Sequence, residues 1–305
     1  MRSRRGLAFG AAAGAAWWTW HHATSPSVGA WSPSAGTRRR AGPLMVRTLG
    51  RGGPAIVLLH GIMSSGDSFG AAFDDLARDH QLVVPDLFGF GRSMHAGTDF
   101  ALDDHLDALD AMTEALEIVH TLWAVAGHSM GGVLALHWAA RHAPQVRRVV
   151  TWGAPLHTTR AAALGAIEKM GWLEHLFVLD TPLSRATCAW SCRHRRLAGW
   201  LAAATNPDMP VRLSRQSSLH TWPAYRGALD DIVLASDWQP ALESLAANDV
   251  HVTLTRGAAD PVSDPVVLDA LATRYAGVDT ATHPTIRHEL PLAEPEWCVT
   301  QLMSS

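Results

Sequence analysis

The stretch TLWAVAGHSMGG, residues 121–132, decides the fold. Its first half, Thr121 to Ala126, is an apolar run of the kind that forms a strand buried on both faces. Met130 to His142 then has a helical pattern that stops before Pro144. Gly127 to Gly131, between these elements, matches the pattern G-x-S-x-G. A strand followed by this pattern and a helix predicts a tight turn that presents Ser129 as a nucleophile.

The residue types of this turn have a physical reason. A strand-to-helix turn this tight strains the serine backbone and crowds its neighbours, so we expect Gly127 and Gly131 to remove steric clashes. The helix that begins at Met130 should direct backbone N–H groups and the positive end of its dipole toward the serine hydroxyl.

Strand and helix patterns alternate on either side of this turn. Helical spacing of apolar residues covers Leu102 to Val119. Gly50-Arg51-Gly52-Gly53 separates the first two strands and predicts a hairpin between them. The predicted strands besides Thr121 to Ala126 are Leu44–Leu49, Ala55–Leu59, Gln81–Pro85, Val146–Trp152, Val250–Thr255 and Val278–Thr282. This alternation predicts an α/β fold with a mostly parallel central sheet flanked by helices.

The alternation stops between Trp152 and Val250, where about a hundred residues show helices and loops but no clear strand. This segment is too long for one crossover connection and lies between two core strands, which favours an inserted helical cap over additional core helices. We therefore predict a core of residues 43–153 and 245–305, with a cap at 154–244. Residues 1–42 form an N-terminal extension that ends in a polar linker from Ser32 to Gly42.

A serine hydroxyl needs a base, and the base needs an acid to orient it. His288 is the best candidate base among 17 histidines because it follows the predicted last strand. His283 is its nearby rival. Asp260 lies in a loop just after the Val250–Thr255 strand, where acids are well placed for sites in parallel sheets. Asp264 is the weaker alternative.

Together these features resemble the α/β-hydrolase fold superfamily, in particular its serine esterases and lipases that carry a helical cap. Leu58-Leu59-His60-Gly61-Ile62 looks like the HG loop of that family, and Asp86 to Ser93 looks like its D-x-x-G-x-G-x-S segment. Gly127 to Gly132 resembles the nucleophile elbow, and Asp260 with His288 resembles the rest of the triad.

The resemblance implies an oxyanion hole made by the backbone N–H groups of Ile62 and Met130. It also implies supporting roles for residues of the elbow and the HG loop, namely His60, Gly61, Gly127, His128 and Gly131. We expect His60 to order its loop, and no cofactor or metal is expected.

The predicted reaction is hydrolysis of a carboxylic ester, or a related acyl bond, through an acyl-enzyme on Ser129. A segment rich in Trp and Leu suggests an apolar small-molecule substrate, although packing of the cap against the core explains those residues equally well. Carbon–carbon bond hydrolase, lactonase, haloperoxidase-like and acyltransferase activities remain open on this fold. A non-catalytic ligand-binding protein is the alternative from another class.

The bulk composition adds two expectations. The net charge of −3, with no dominant basic stripe, gives no electrostatic case for a nucleic-acid partner. The N-terminus has a basic start followed by an uncharged stretch from Gly6 to Trp20, in the order of a secretory signal or a weak membrane segment. This pattern leaves cytoplasmic, exported and membrane-associated locations open.

Overall fold

The computed structural model describes residues 14–50, 52–95, 97, 99–170, 178–235 and 237–304. Its centre is an eight-stranded sheet in the order β1-β2-β4-β3-β5-β6-β7-β8. β1 and β2 run antiparallel to their neighbours, and all other neighbours are parallel. The strands are β1 (Thr37–Ala41), β2 (Leu44–Leu49), β3 (Ala55–Leu59), β4 (Gln81–Asp86), β5 (Leu122–His128), β6 (Arg148–Trp152), β7 (His251–Gly257) and β8 (Val278–His283). The predicted mostly parallel α/β sheet is confirmed.

Helices connect the parallel strands and pack on the sheet. Those of the core are Leu102–Leu116, Met130–Arg141, Gln239–Ala247, Pro265–Arg274, Leu290–Ala293 and Pro295–Met303. Short 3-10 helices lie at Gly66–Ser68, Ala71–Arg78, Gly91–Ser93 and Val119–Thr121.

The central strands are mostly apolar because helices cover both of their faces. Every residue of β3 is buried, as is every residue of β6. The helix Met130–Arg141 packs against β5 and buries nine of its twelve residues. The turn that precedes this helix therefore has the protein core behind it.

Two sequence-based expectations about the sheet are wrong. Residues 37–41, predicted to belong to a linker, form β1, so the sheet begins before the predicted core boundary at Pro43. Four of these five residues are exposed, as suits a charged edge strand. The hairpin predicted at Gly50–Gly53 does not form, because β4 inserts between β2 and β3; the hairpin instead joins β1 to β2 through Gly42.

The described residues between β6 and β7 form helices and loops and contribute no strand to the sheet. We call residues 154–238 the inserted segment. Its helices are Arg160–Glu168, Pro182–Arg193, Arg195–Thr205, Val211–Gln216 and Trp222–Ala228, with a π-helical turn at Leu229–Val233. One isolated bridge, between Phe90 and His220, joins this segment to the loop after β4.

The N-terminal region contains a helix over residues 14–24 and a short helix, Pro26–Ala30. The basic start and the first part of the predicted apolar stretch, residues 1–13, lie outside the described residues. Within the described ranges, no helix has both the length and the hydropathy needed to cross a bilayer.

Candidate active site

Ser129 occupies the turn between β5 and the helix Met130–Arg141. Its backbone has φ 53° and ψ −121°, a conformation that L-residues rarely adopt. Two hydrogen bonds hold the turn: the N–H of Ser129 donates to the Trp152 carbonyl (2.9 Å), and the N–H of Gly132 donates to the Ser129 carbonyl (2.9 Å). Strain of this kind persists only where the surroundings fix it, which is typical of functional sites.

Close backbone packing explains the two glycines that flank the serine. A Cβ atom on Gly127 would lie 2.0 Å from the carbonyl oxygen of Gly131. A Cβ atom on Gly131 would lie 2.2 Å from the carbonyl oxygen of Leu59, at the end of β3. Neither position therefore has room for a side chain, and the helix can approach the sheet directly behind Ser129.

His288 and Asp260 form a buried pair beyond the carboxyl ends of β8 and β7. The His288 Nδ1–H donates to the Asp260 carboxylate, whose two oxygens both lie 3.1 Å away. The Val262 N–H donates to Asp260 Oδ1 at 2.8 Å and fixes the carboxylate from the other side. Because Nδ1 carries the proton in this hydrogen bond, Nε2 is the nitrogen of a neutral His288 ring that can accept a proton.

Contacts through His128 join this pair to the turn that holds Ser129. The His128 Nε2–H donates to the His288 carbonyl at 2.8 Å, and the centroids of the two rings are 4.8 Å apart. Gly61 packs closely against the same turn, since a Cβ atom on Gly61 would lie 3.3 Å from both Ser129 Cβ and His128 Nδ1. The structure thus brings together five predicted site residues: Gly61, His128, Ser129, Asp260 and His288.

The two members of the pair perturb each other's pKa. Burial alone would lower the pKa of His288, but the hydrogen bond and the charge of Asp260 outweigh it and raise that pKa above its usual value. Burial would raise the pKa of Asp260, yet the hydrogen bond from His288 and its charge lower it. The pair therefore favours an ionised carboxylate that can stabilise an imidazolium.

His128 has the opposite electrostatic behaviour. Burial, followed by repulsion from His288, lowers the pKa of His128 to about 3. It is therefore neutral near pH 7 and acts here as a hydrogen-bond donor to the His288 backbone.

The two rival residues have other partners. His283 lies at the end of β8, where its ring packs edge-on against Trp297 and its Nε2 is 3.9 Å from Glu294. Asp264 caps the helix Pro265–Arg274 by accepting the Val266 N–H at 2.9 Å. Geometry therefore favours His288 and Asp260 over both.

The loop after β3 is ordered by His60, which is fully buried. His60 Nδ1–H donates to the Gly61 carbonyl at 2.7 Å, and Nε2 accepts the Leu87 N–H at 2.9 Å. Ile62 follows Gly61 in this loop, and Met130 is the first residue of the helix after Ser129. The first N–H groups of a helix have no partner within it, so the Met130 N–H belongs to the set that can bind an anion.

A buried ionic cluster around Asp67 lies beside this loop and was not predicted as a unit. The Asp67 carboxylate accepts hydrogen bonds from Arg92 (3.1 Å) and Gln216 (2.8 Å) and also pairs with Arg38 and Arg212. Ser65 donates to Gln216 at 2.7 Å. Because Arg212 and Gln216 belong to the inserted segment, the cluster ties that segment to the core. Its bonded partners are up to 151 residues apart in sequence, so no local pattern could reveal the cluster.

A second carboxylate holds the segment that follows β4. Asp86 accepts the N–H groups of Gly66 and Arg92, both at 2.8 Å, and thus links the two loops. Among the described residues, no group of three or more His, Cys, Asp or Glu side chains is arranged to hold a metal ion.

Comparison with known proteins identifies a family model that covers most of the core and curated relatives that match about a third of the chain. The family model described as "alpha/beta hydrolase fold" matches residues 54–281, a range that contains Ser129 and Asp260 and ends before His288. Over 110 residues the chain is 37% identical to the magnesium-chelatase 30 kDa subunit of Rhodobacter capsulatus. The aligned stretch covers 35% of this chain and 38% of that protein. Over 95 residues it is 42% identical to the pimeloyl-[acyl-carrier protein] methyl ester esterase of Xanthomonas campestris pv. campestris, covering 31% and 34% of the two chains.

The matched stretches thus span less than two fifths of these curated relatives. Among solved structures, E-2-(acetamidomethylene)succinate hydrolase superposes with a TM-score of 0.67 at 19% identity, over 88% of this chain and 100% of that one. At this identity the likeness concerns the fold alone.

Proposed function

The chain belongs to the α/β-hydrolase fold family, and from that premise we propose that it is a serine hydrolase that cleaves a carboxylic ester through an acyl-enzyme on Ser129. The observation that carries this proposal is the geometry around the turn. A serine in a strained strand-to-helix turn follows His128, and His128 is hydrogen-bonded to the backbone of a histidine whose Nδ1 is fixed by a buried carboxylate. The similarity to a methyl ester esterase supports the ester as the bond that is cleaved.

In the proposed acylation step, His288 Nε2 accepts the proton of the Ser129 hydroxyl as its oxygen attacks the substrate carbonyl. The oxyanion that forms accepts hydrogen bonds from the backbone N–H groups of Ile62 and Met130. One such donor contributed about 2.7–4 kcal/mol where it was measured in another serine hydrolase.

The imidazolium of His288 then protonates the departing alcohol, and the acyl group remains on Ser129. In deacylation the neutral His288 accepts a proton from water, which attacks the acyl-enzyme and releases the acid. Asp260 stays ionised throughout and holds the ring in one tautomer. These steps need only groups of this chain and one water molecule.

The substrate we propose is an apolar ester. Ser129 and His288 are each only 8% exposed, so a reacting carbonyl must enter a largely enclosed site. Ile62 and Met63, which follow Gly61 in the loop after β3, are apolar and pack against the main core. Such surroundings suit an apolar acyl or alcohol group.

Hydrolysis of p-nitrophenyl esters, from acetate to laurate, tests this function. The wild-type protein should release p-nitrophenol, and Ser129→Ala should lower kcat by about 10⁶, as loss of the nucleophile does in subtilisin. Ser244→Ala, in the helix Gln239–Ala247, is a matched control and should keep full activity. Undiminished turnover by Ser129→Ala, or no turnover of any ester by the wild type, contradicts the proposal.

A further inference from the structure

Large apolar side chains are exposed mainly in one part of the molecule. Seven of the ten such residues in the described chain lie on three helices, residues 14–24, Pro182–Arg193 and Arg195–Thr205. They are Trp17, Trp20, Leu183, Trp190, Leu197, Trp200 and Leu201. Single exposed apolar residues need no explanation, but a concentration of this kind marks an interaction surface. We call these three helices the tryptophan face.

The helix Arg195–Thr205 has an inverted pattern of burial. It buries small residues, Ala198, Gly199 and Ala203, against the protein. A Cβ atom on Gly199 would lie 2.9 Å from the carbonyl oxygen of Arg215, so the inner side is tightly packed. The outer side carries Leu197 and Trp200, which are 53% and 54% exposed. The Arg215 guanidinium carbon lies 4.3 Å from the centroid of the Trp200 ring, so this ring has a partner within the chain and still exposes half of its surface.

The N-terminal helix lies directly beside this surface. Trp18 Nε1–H donates to the Ala203 carbonyl at 3.2 Å, and Ser25 Oγ–H donates to the Asp208 carbonyl at 2.8 Å. While Trp18 is thus partly buried, Trp17 and Trp20 on the same helix are 55% and 62% exposed. The helix Pro182–Arg193, which directly precedes Arg195–Thr205 in the chain, also packs against it. The three helices are therefore in contact as one group, with Arg195–Thr205 touching both of the others.

The charge of this surface differs from that of the whole chain. The protein carries a net charge of −3, yet residues 182–205 contain four arginines and no acidic residue, and residues 14–31 contain no charged residue except histidine. Arg193 and Arg196 are exposed, and within the described chain neither forms an ion pair with a carboxylate. Asp180, which lies just before the face in sequence, is paired with Arg185.

We infer that the tryptophan face binds the surface of an anionic phospholipid bilayer. Tryptophan is the side chain most suited to the boundary between headgroups and acyl chains, and leucine beside it can enter the acyl region. Arginines near the plane of the headgroups add electrostatic attraction to anionic lipid. A partly inserted face of this composition explains why apolar residues point away from the protein and why the basic residues are gathered among them.

Co-sedimentation of the full chain with lipid vesicles tests this inference. Binding should be strong to vesicles of phosphatidylcholine with one third phosphatidylglycerol and weaker to phosphatidylcholine alone. Leu197→Ser with Trp200→Ser should lower the partition coefficient roughly tenfold or more. Arg193→Gln and Arg196→Gln should each lower binding to the anionic vesicles about fivefold and leave binding to neutral vesicles nearly unchanged.

Val266→Ser is the matched control, because Val266 is 74% exposed but lies outside the tryptophan face. It should bind vesicles like the wild type. Far-ultraviolet circular dichroism of each variant checks that its fold is intact. Equal binding by the wild type and the Leu197→Ser/Trp200→Ser variant would overturn the inference. So would a dimer of the protein that this variant abolishes, in the absence of vesicle binding, because a second copy would then be the partner.

Discussion

The Nδ1 atom of His288 is equidistant, at 3.1 Å, from the two carboxylate oxygens of Asp260. The Asp260 side chain is itself fixed by the Val262 N–H, so the imidazole ring is oriented by a carboxylate that has little freedom to move. Both side chains are almost wholly removed from solvent. Burial lowers the pKa of His288, and the contact with Asp260 outweighs that effect and raises it, which has consequences that can be measured.

The activity should depend on pH through His288. Its pKa is raised, so the ring keeps its proton to a higher pH than a free histidine, whose pKa is about 6.5. Because only the neutral ring accepts the serine proton, kcat/KM should rise with pH along a single titration whose midpoint lies above that value. A pH–rate profile for a p-nitrophenyl ester measures it, and a midpoint clearly below 6.5 would show that His288 is not the base.

Asp260→Asn should lower activity and move the same titration. Loss of the carboxylate removes both the hydrogen bond and the charge that raise the pKa of His288, so the midpoint should move to lower pH. The fall in kcat should approach 10⁴, roughly the loss seen for the equivalent change in a serine protease. Asp264→Asn, at the helix cap, is the control and should change neither quantity much. Equal effects of the two substitutions would exclude Asp260 as the orienting acid.

The packing behind Ser129 predicts unequal effects of two Gly→Ala substitutions. In Gly131→Ala the new methyl group meets the Leu59 carbonyl, and we expect the protein to lose at least about 1–3 kcal/mol of unfolding free energy. Gly165 lies in the helix Arg160–Glu168 with no atom within 4 Å of its Cβ position, so Gly165→Ala should stabilise by up to about 1 kcal/mol. Urea unfolding of both variants tests this contrast, and similar losses in the two would refute it.

The buried cluster around Asp67 should make stability sensitive to acid. Burial favours the protonated acid, but the hydrogen bond from Gln216 and the charges of Arg92 and Arg38 hold the pKa of Asp67 well below its usual range. In the unfolded chain this carboxylate takes up its proton with a midpoint at about pH 3.9. Its stabilising contribution is therefore complete above about pH 4 and is lost as the pH falls toward the lower folded pKa.

Asp67→Asn should accordingly lower the unfolding free energy at pH 7 by roughly 1–3 kcal/mol and make the protein less sensitive to pH below 4. Asp75→Asn is the matched control, since Asp75 pairs with Arg78 at the exposed surface, where ion pairs contribute little. Urea unfolding at pH 7 and pH 3 distinguishes the two. If the variants behave alike, the Asp67 cluster does not stabilise the fold as we expect.

Local patterns in the sequence were sufficient for much of the core. The strand before Ser129 and the helix after it are specified by consecutive apolar residues and by glycines with no room for a side chain, so both could be predicted. β1 was missed because its Arg38-Arg39-Arg40 run looks like a polar linker. An edge strand tolerates such residues, since one of its sides and part of its faces remain in water.

Features that depend on distant parts of the chain could not be predicted in the same way. A turn-rich stretch between two strands gives no sign that β4 will insert between them. The partners of Asp67 and the contact of Trp18 with Ala203 join residues far apart in sequence. The order Ser129, Asp260, His288 was accessible because each residue follows a recognisable strand, but the hydrogen bond between His288 and Asp260 required the structure.

Covalent labelling with a fluorophosphonate probe tests the central role of Ser129 most directly, because the probe reacts with activated serines whatever the natural substrate is. Peptide mass spectrometry of the labelled wild-type protein should place one adduct on Ser129, and Ser129→Ala should carry none. The absence of an adduct in the wild type, or equal labelling of Ser129→Ala, would contradict the account.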